Sequence, residues 1–273
     1  MSRIGARFAE LRALGRAGFI PFITAGDPDL ETSFEILQQL PGAGADLIEL
    51  GMPFSDPMAD GPAIQASSTR ALKAGMSVRK TLAMVERFRA RDAATPIVLM
   101  GYFNPIHAYG AEHFLSDACH AGVDGLIIVD LGPEEDCALR ARAVTCGLDI
   151  VRLATPTTDE TRLPAVLDGA GGFLYYVSVA GVTGTKTFTA ADVSQAVCRI
   201  RQHSALPVAV GFGIRTAAQA AEIARIADAA VVGSAIVTRI EQSRAKGGAS
   251  GAIVEDTLGF CRSLADAVHD ARR

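Results

Sequence analysis

The sequence has no tryptophan, only four tyrosines, and no apolar run long enough to cross a bilayer. A membrane-spanning class is therefore not expected. A basic stripe interleaved with aromatics is also missing: lysine and arginine total 26 against 30 acids, for a net charge of −4. The densest basic group, Arg87, Arg89 and Arg91, falls where a helix is expected to end, and the helix dipole favours cations there. A solvated face, not a nucleic-acid site, is the expectation. The five cysteines (Cys119, Cys137, Cys146, Cys198 and Cys261) are odd in number and lack paired short spacing. That argues against a disulfide framework and for free thiols, buried or facing helices, in a reducing cytoplasm. His113 and His120 stand seven apart, and a metal site is not expected from them. The opening Met-Ser-Arg-Ile-Gly begins an amphipathic, arginine-containing stretch rather than the apolar core of a secretory signal.

What the chain does have is length and apolar content. Its 273 residues are 49% hydrophobic and 21% charged, enough for one large core, expected as a single domain over 1–273. Eight short apolar runs recur: Phe19–Thr24, Asp46–Gly51, Pro96–Tyr102, Gly125–Asp130, Asp149–Ala154, Gly172–Ser178, Pro207–Gly211 and Ala229–Gly233. Each is too short for a helix and reads as a strand buried on both faces. Helical spacing lies between them, at Leu30–Leu40, Phe114–Ala121, Glu134–Thr145, Ala190–His203 and Thr216–Ile226. Asp29, Pro133 and Asp159 stand where helices should start. Glu241–Gly251 reads as a loop before a last helix, and Arg7–Leu14 as an extra helix before the first strand. The alternation predicts an α/β fold, a (β/α)₈ TIM barrel with an extra N-terminal helix. The alternative, a doubly wound open sheet, usually carries a Gly-x-Gly-x-x-Gly turn after its first strand. Here that turn is Thr24-Ala25-Gly26-Asp27-Pro28.

The segment Ile48–Gly61 concentrates chemistry. Glu49 interrupts an apolar strand, and Asp56 and Asp60 follow in a loop stiffened by Pro53 and Pro57. Strand alternation points Ile48 and Leu50 at the helices and Glu49, with Leu47 and Gly51, into the barrel near its C-terminal rim. A buried acid is either paired or used. The one cation near the strand ends that could pair with Glu49 is Arg152. The last two strands run into Gly211-Phe212-Gly213 and Gly233-Ser234-Ala235. Small residues before two helix starts, after strands seven and eight, suit a phosphate. After strand six, Gly181 and Gly184 flank Thr183, a pattern that suits a flap over 179–190.

These motifs, in this order, resemble the tryptophan synthase alpha chain family across nearly the whole chain. Besides 48–61 they include Pro21–Pro28, Tyr102-x-Asn104-Pro105, Pro156-Thr157-Thr158, Gly181–Gly184, Gly211–Ile214 and Val232–Ala235. The resemblance implies retro-aldol cleavage of indole-3-glycerol phosphate to indole and glyceraldehyde 3-phosphate. It implies Glu49 as acid and base, Asp60 as its partner and Tyr175 on the substrate side. Phe22, Ile64, Met100, Tyr102, Ile127, Val129 and Val232 are expected to line an apolar indole pocket. Thr183, Gly184, Phe212, Gly213, Gly233 and Ser234 are expected to hold the phosphate end. It further implies an α2β2 heterotetramer in which a beta chain carries pyridoxal phosphate, this chain carrying no cofactor of its own. Loop 53–60 and the segment 102–105 are the expected contact. Two features depart from the family pattern: a displaced proline at Gly132-Pro133 and Lys186 in place of arginine. Rival readings are another phosphate-binding barrel enzyme, such as a sugar-phosphate isomerase or the synthase that makes indole-3-glycerol phosphate, and a silent subunit that only activates a partner. The synthase should carry a lysine inside the barrel, and no strand core has one. A silent subunit should have lost Glu49 or Asp60.

Overall fold

Residues 2–178, 189–211 and 213–273 are described in the structure, a computed structural model. The elements run α1 (Arg3–Ala13), β1 (Gly18–Thr24), α2 (Leu30–Gln39), β2 (Ile48–Gly51), α3 (Pro62–Lys73), α4 (Val78–Arg89), β3 (Ile97–Gly101), α5 (Phe103–Tyr109), α6 (Ala111–Ala121) and β4 (Gly125–Ile128). They continue with α7 (Cys137–Thr145), β5 (Asp149–Ile150), β6 (Arg152–Ala154), α8 (Leu163–Leu167), β7 (Leu174–Val177), α9 (Ala190–His203), β8 (Val208–Gly211), α10 (Ala217–Ile226), β9 (Ala229–Val232), α11 (Ser234–Ala245) and α12 (Ser250–Asp270).

All strand pairs are parallel, in the order β5-β4-β3-β2-β1-β9-β8-β7-β6. The two ends of that order are successive halves of one stave. β5 pairs with β4, β6 pairs with β7, and only Val151 separates them. The sheet therefore closes on itself as a barrel ringed by helices.

Alternation along the strands makes two apolar layers. Ile48 and Leu50 belong to the outer cluster between sheet and helices. Leu47, Val98, Ile127, Val151 and Phe173 fill the interior. The extra N-terminal helix plugs the barrel from below. Ile4, Phe8 and Leu11 of α1 join the inner cluster, and the Phe8 ring lies 5.7 Å from Phe173. Each such side chain stabilises the fold by roughly 1.5–3 kcal/mol on burial. Arg3 to Asp124 and Arg7 to Asp46, both at 2.8 Å, fasten the plug to acids at the bottoms of strands.

Five sequence expectations need correction. The run 149–154 is a strand in two pieces, Asp149–Ile150 paired with β4 and Arg152–Ala154 paired with β7. The helix expected from Glu134 starts at Cys137, after a turn at Pro133–Glu135, and Asp136 gives its carboxylate to Arg152 rather than to the helix N-terminus. The expected loop 241–251 is mostly helical. Glu241 bridges to Arg70 and Arg244, at 2.9 Å each, so α11 runs to Ala245 and the chain turns at Gly247 (φ 74°). The cysteines are free among the described residues, but Cys119, Cys137 and Cys198 are exposed and only Cys261 is buried. Arg87 and Arg89 do sit in the last turn of α4. Arg89, however, is not merely solvated: it reaches Asp124 at 2.6 Å. Among the described residues, no helix is long and apolar enough to cross a membrane.

Candidate active site

Glu49 sits where alternation places it, facing inward from β2 at the strand position opposite Phe22 on β1 and Val98 on β3. It is 0% exposed, and neither carboxylate oxygen has a hydrogen-bond partner among the described residues. Burial alone pushes its pKa up to about 8, because an ion there would lose its water without gaining a counter-charge. Arg152 does not neutralise it. That guanidinium pairs through Nη2 with the buried Asp136, near the start of α7.

Tyr175 lines the inner wall from β7. Burial first, and the Glu49 charge second, raise its hydroxyl well above the ordinary range, so it remains a proton-bearing donor. The neighbouring strand gives it room: a Cβ on Gly211 would stand 2.6 Å from the Tyr175 oxygen.

Asp60 is half-buried in the loop after β2, its N–H bonded to the Pro57 carbonyl at 3.1 Å. Burial lifts its carboxyl to about 6, and a hydrogen bond from Tyr102 opposes the rise. The Tyr102 hydroxyl also accepts the Ala59 N–H at 3.0 Å, and its ring packs 5.4 Å from that of Phe54. The two carboxyls thus sit in different environments, Glu49 sealed in the interior and Asp60 on a pocket wall, the difference that separates acid from base roles.

Phe22, Ile64, Met100, Tyr102 and Val129 line one pocket together with Asp60. Ile127 lies deeper, wholly buried in the interior cluster. Val232 is a correction. It packs in the outer cluster, while Val231 faces inward, because β9 alternates Ala229 in, Ala230 out. The sequence reading missed Thr24, Met52 and Ser68, which line the same pocket. Thr24 was recoverable, two positions beyond Phe22 on one strand face. Ser68 comes from α3, whose docking no local pattern reveals.

At the expected phosphate end, α10 is capped by its own Thr216, whose side chain accepts the Gln219 N–H. The start of α11 has no side-chain cap: Gly233 stands before Ser234 and leaves that helix end open to an anion. Ser234 and Arg215 border a cleft of about 610 Å³ that reaches Gly61, next to Asp60. Gly213 is exposed nearby with φ 61°. Thr183, Gly184 and Phe212 lie outside the described residues, as does the expected flap 179–190 as far as 188; its last two residues, Thr189 and Ala190, are the cap and start of α9. Among those described, no group of three or more His, Cys, Asp or Glu is placed to hold a metal ion.

The family model for "Tryptophan synthase alpha chain" matches residues 8–269. The chain belongs to the tryptophan synthase alpha chain family. It is similar to tryptophan synthase subunit alpha from Legionella pneumophila, at 37% identity over 98% of both chains, with a TM-score of 0.91. It is similar to a chain of tryptophan synthase from M. tuberculosis in an aminoacrylate-bound form, at 35% identity over 98% of this chain and 100% of that one, TM-score 0.86. An Aquifex aeolicus structure is 33% identical over 99% of this chain and 100% of that one, TM-score 0.88. The (β/α)₈ architecture with its added helix is thus the family's fold. The activity is that of a tryptophan synthase alpha subunit, the lyase cleavage of indole-3-glycerol phosphate in tryptophan biosynthesis, performed as one half of an alpha/beta synthase.

Proposed function

We propose that Glu49 moves the protons of this cleavage, that Asp60 holds the ring nitrogen, and that Tyr175 orients the glycerol side. The carrying observation is Glu49 itself, a fully buried carboxyl with no hydrogen-bond partner among the described residues, which keeps its proton up to about 8. At neutral pH it is an acid ready to give that proton to C3 of the indole ring. The ring nitrogen then becomes electron-poor. An ionised Asp60 accepts its N–H and stabilises the charge. Glu49, now a carboxylate, removes the proton from the hydroxyl beside the bond to be broken. The bond's electrons return to the ring, indole leaves, an aldehyde forms, and Glu49 is again protonated.

The open start of α11, with Gly233, Ser234 and Gly213, binds the phosphate, together with Thr183, Gly184 and Phe212. Loop 53–60 and the segment 102–105 meet the beta chain in an α2β2 assembly. Met58 at 77% exposure and an exposed Asp56 at the barrel mouth support that placement. Measuring indole release from indole-3-glycerol phosphate, with and without a beta chain, tests the assignment. A Glu49→Gln chain that released indole at the wild-type rate would overturn it.

A further inference from the structure

Tyr102 ties together parts of the mouth that the reaction scheme leaves separate. It stands at the N-cap position of α5, immediately after β3, and is only 3% exposed. The next residue is pinned as well: the Phe103 N–H donates to Asp130 at 2.8 Å. The Tyr102 ring packs on Phe54 across the loop. The hydroxyl itself accepts the Ala59 N–H at 3.0 Å. A phenol has one proton to give. With a lone pair taken by Ala59, that proton is left for the carboxyl of the next residue, Asp60, which lines the same pocket as Tyr102.

We propose that Tyr102 is the positioning residue for Asp60: its hydroxyl donates to the carboxylate while holding the Ala59 N–H, and so aims Asp60 at the substrate's ring nitrogen. The proposal rests on the reading of Asp60 as acceptor of that N–H. A carboxylate has lone pairs enough for both donors, so the tyrosine bond need not break when substrate enters. The bond favours the ionised carboxylate over the neutral acid, which is the form a ring N–H requires. The titratable groups facing this pair are few. Tyr102 is raised to about 12 by burial and then by the Asp60 charge, with Asp130 adding a smaller push from beyond β4. Glu49 lies deeper, on β2.

The test uses Tyr102→Phe, which keeps the ring against Phe54 and removes only the hydroxyl. Indole release from indole-3-glycerol phosphate is measured across pH for wild type, Tyr102→Phe, Asp60→Asn and the double variant. The Asp60 carboxyl is titrated separately by carbon NMR in aspartate-labelled protein. Losing a hydrogen bond to a charged group should move the acid limb of kcat/KM, and the Asp60 titration, upward by about one pH unit, with the alkaline limb unchanged. In the Asp60→Asn background the second substitution should change the rate less than about twofold. An unmoved Asp60 titration, or a loss equal at every pH, overturns the proposal. If wild type releases no indole, the assignment of function fails on its own, and the NMR titration still decides whether Tyr102 governs Asp60.

Discussion

Phe22 is the strand partner of Glu49, and its ring lies over Gly51, two residues beyond the acid on the same strand. The carboxyl lies on the same inner face as Leu47 and Val98, and neither of its oxygens has a hydrogen-bond partner among the described residues. This apolar enclosure, not a charge, is what makes Glu49 a weak acid suited to neutral pH.

Glu49→Gln should lower indole release by about 10²–10⁴-fold, the range for loss of a general acid and base. The same change should stabilise the fold near neutral pH. Glu49 holds its proton to about 8 when folded and to about its ordinary 4.5 when unfolded. Wild-type stability from this group is full below 4.5, falls as pH rises towards 8, and is level above. Near pH 7 the variant should be more stable by about 3 kcal/mol, with no difference near pH 4. Urea unfolding at both pH values checks the sign.

The pH dependence of kcat/KM should be a bell. Its acid limb lies near 6, where Asp60 must be ionised, and its alkaline limb near 8, where Glu49 must still be protonated. Asp60→Asn should abolish the acid limb and leave the alkaline one. Steady-state rates from pH 5 to 9 on the wild type and this variant provide the check.

Gly51→Ala should crowd the Phe22 ring. A Cβ there would meet the Phe22 ring at 2.6 Å and the Ile23 carbonyl at 3.4 Å. The ring must shift into the pocket, which predicts a raised KM and a stability loss of about 1–3 kcal/mol. Denaturation curves and KM, measured on one preparation, report both effects.

Ser234→Asp should act in opposite directions on stability and binding. An acid in the first turn of the uncapped α11 should stabilise the helix by about 0.3–1 kcal/mol. The same charge would repel a phosphate, so KM for indole-3-glycerol phosphate should rise by about tenfold or more. A rise in thermal midpoint with an unchanged KM would move the phosphate site elsewhere.

Asp136→Ala should leave Arg152 buried and unpaired. Removing one partner of a buried ion pair destabilises by about 3–5 kcal/mol. Replacing both, as Asp136→Leu with Arg152→Met, should recover most of that loss. Chemical denaturation of the three proteins decides whether the pair stabilises the loop after β4 or only burdens it.

Much of this was legible without coordinates. Short apolar runs separated by helical spacing specified a parallel barrel, because strand and helix periods are local properties of the chain. The alternation Leu47, Ile48, Glu49, Leu50 turned the acid inward, since neighbouring strand side chains must take opposite faces. The motif around Glu49 and Asp60 identified the family by chemistry and order alone. Partner choice was decided only in three dimensions. Arg152 could have met Glu49, but the strand turns it outward to Asp136. Val232 could have faced the indole, but the β9 register gives that side to Val231. Tyr102 reaches the wall that holds Asp60 across more than forty residues of sequence, because β3 pairs directly with β2. Sequence pattern determines which face a side chain takes; the packing of distant segments determines what it meets there.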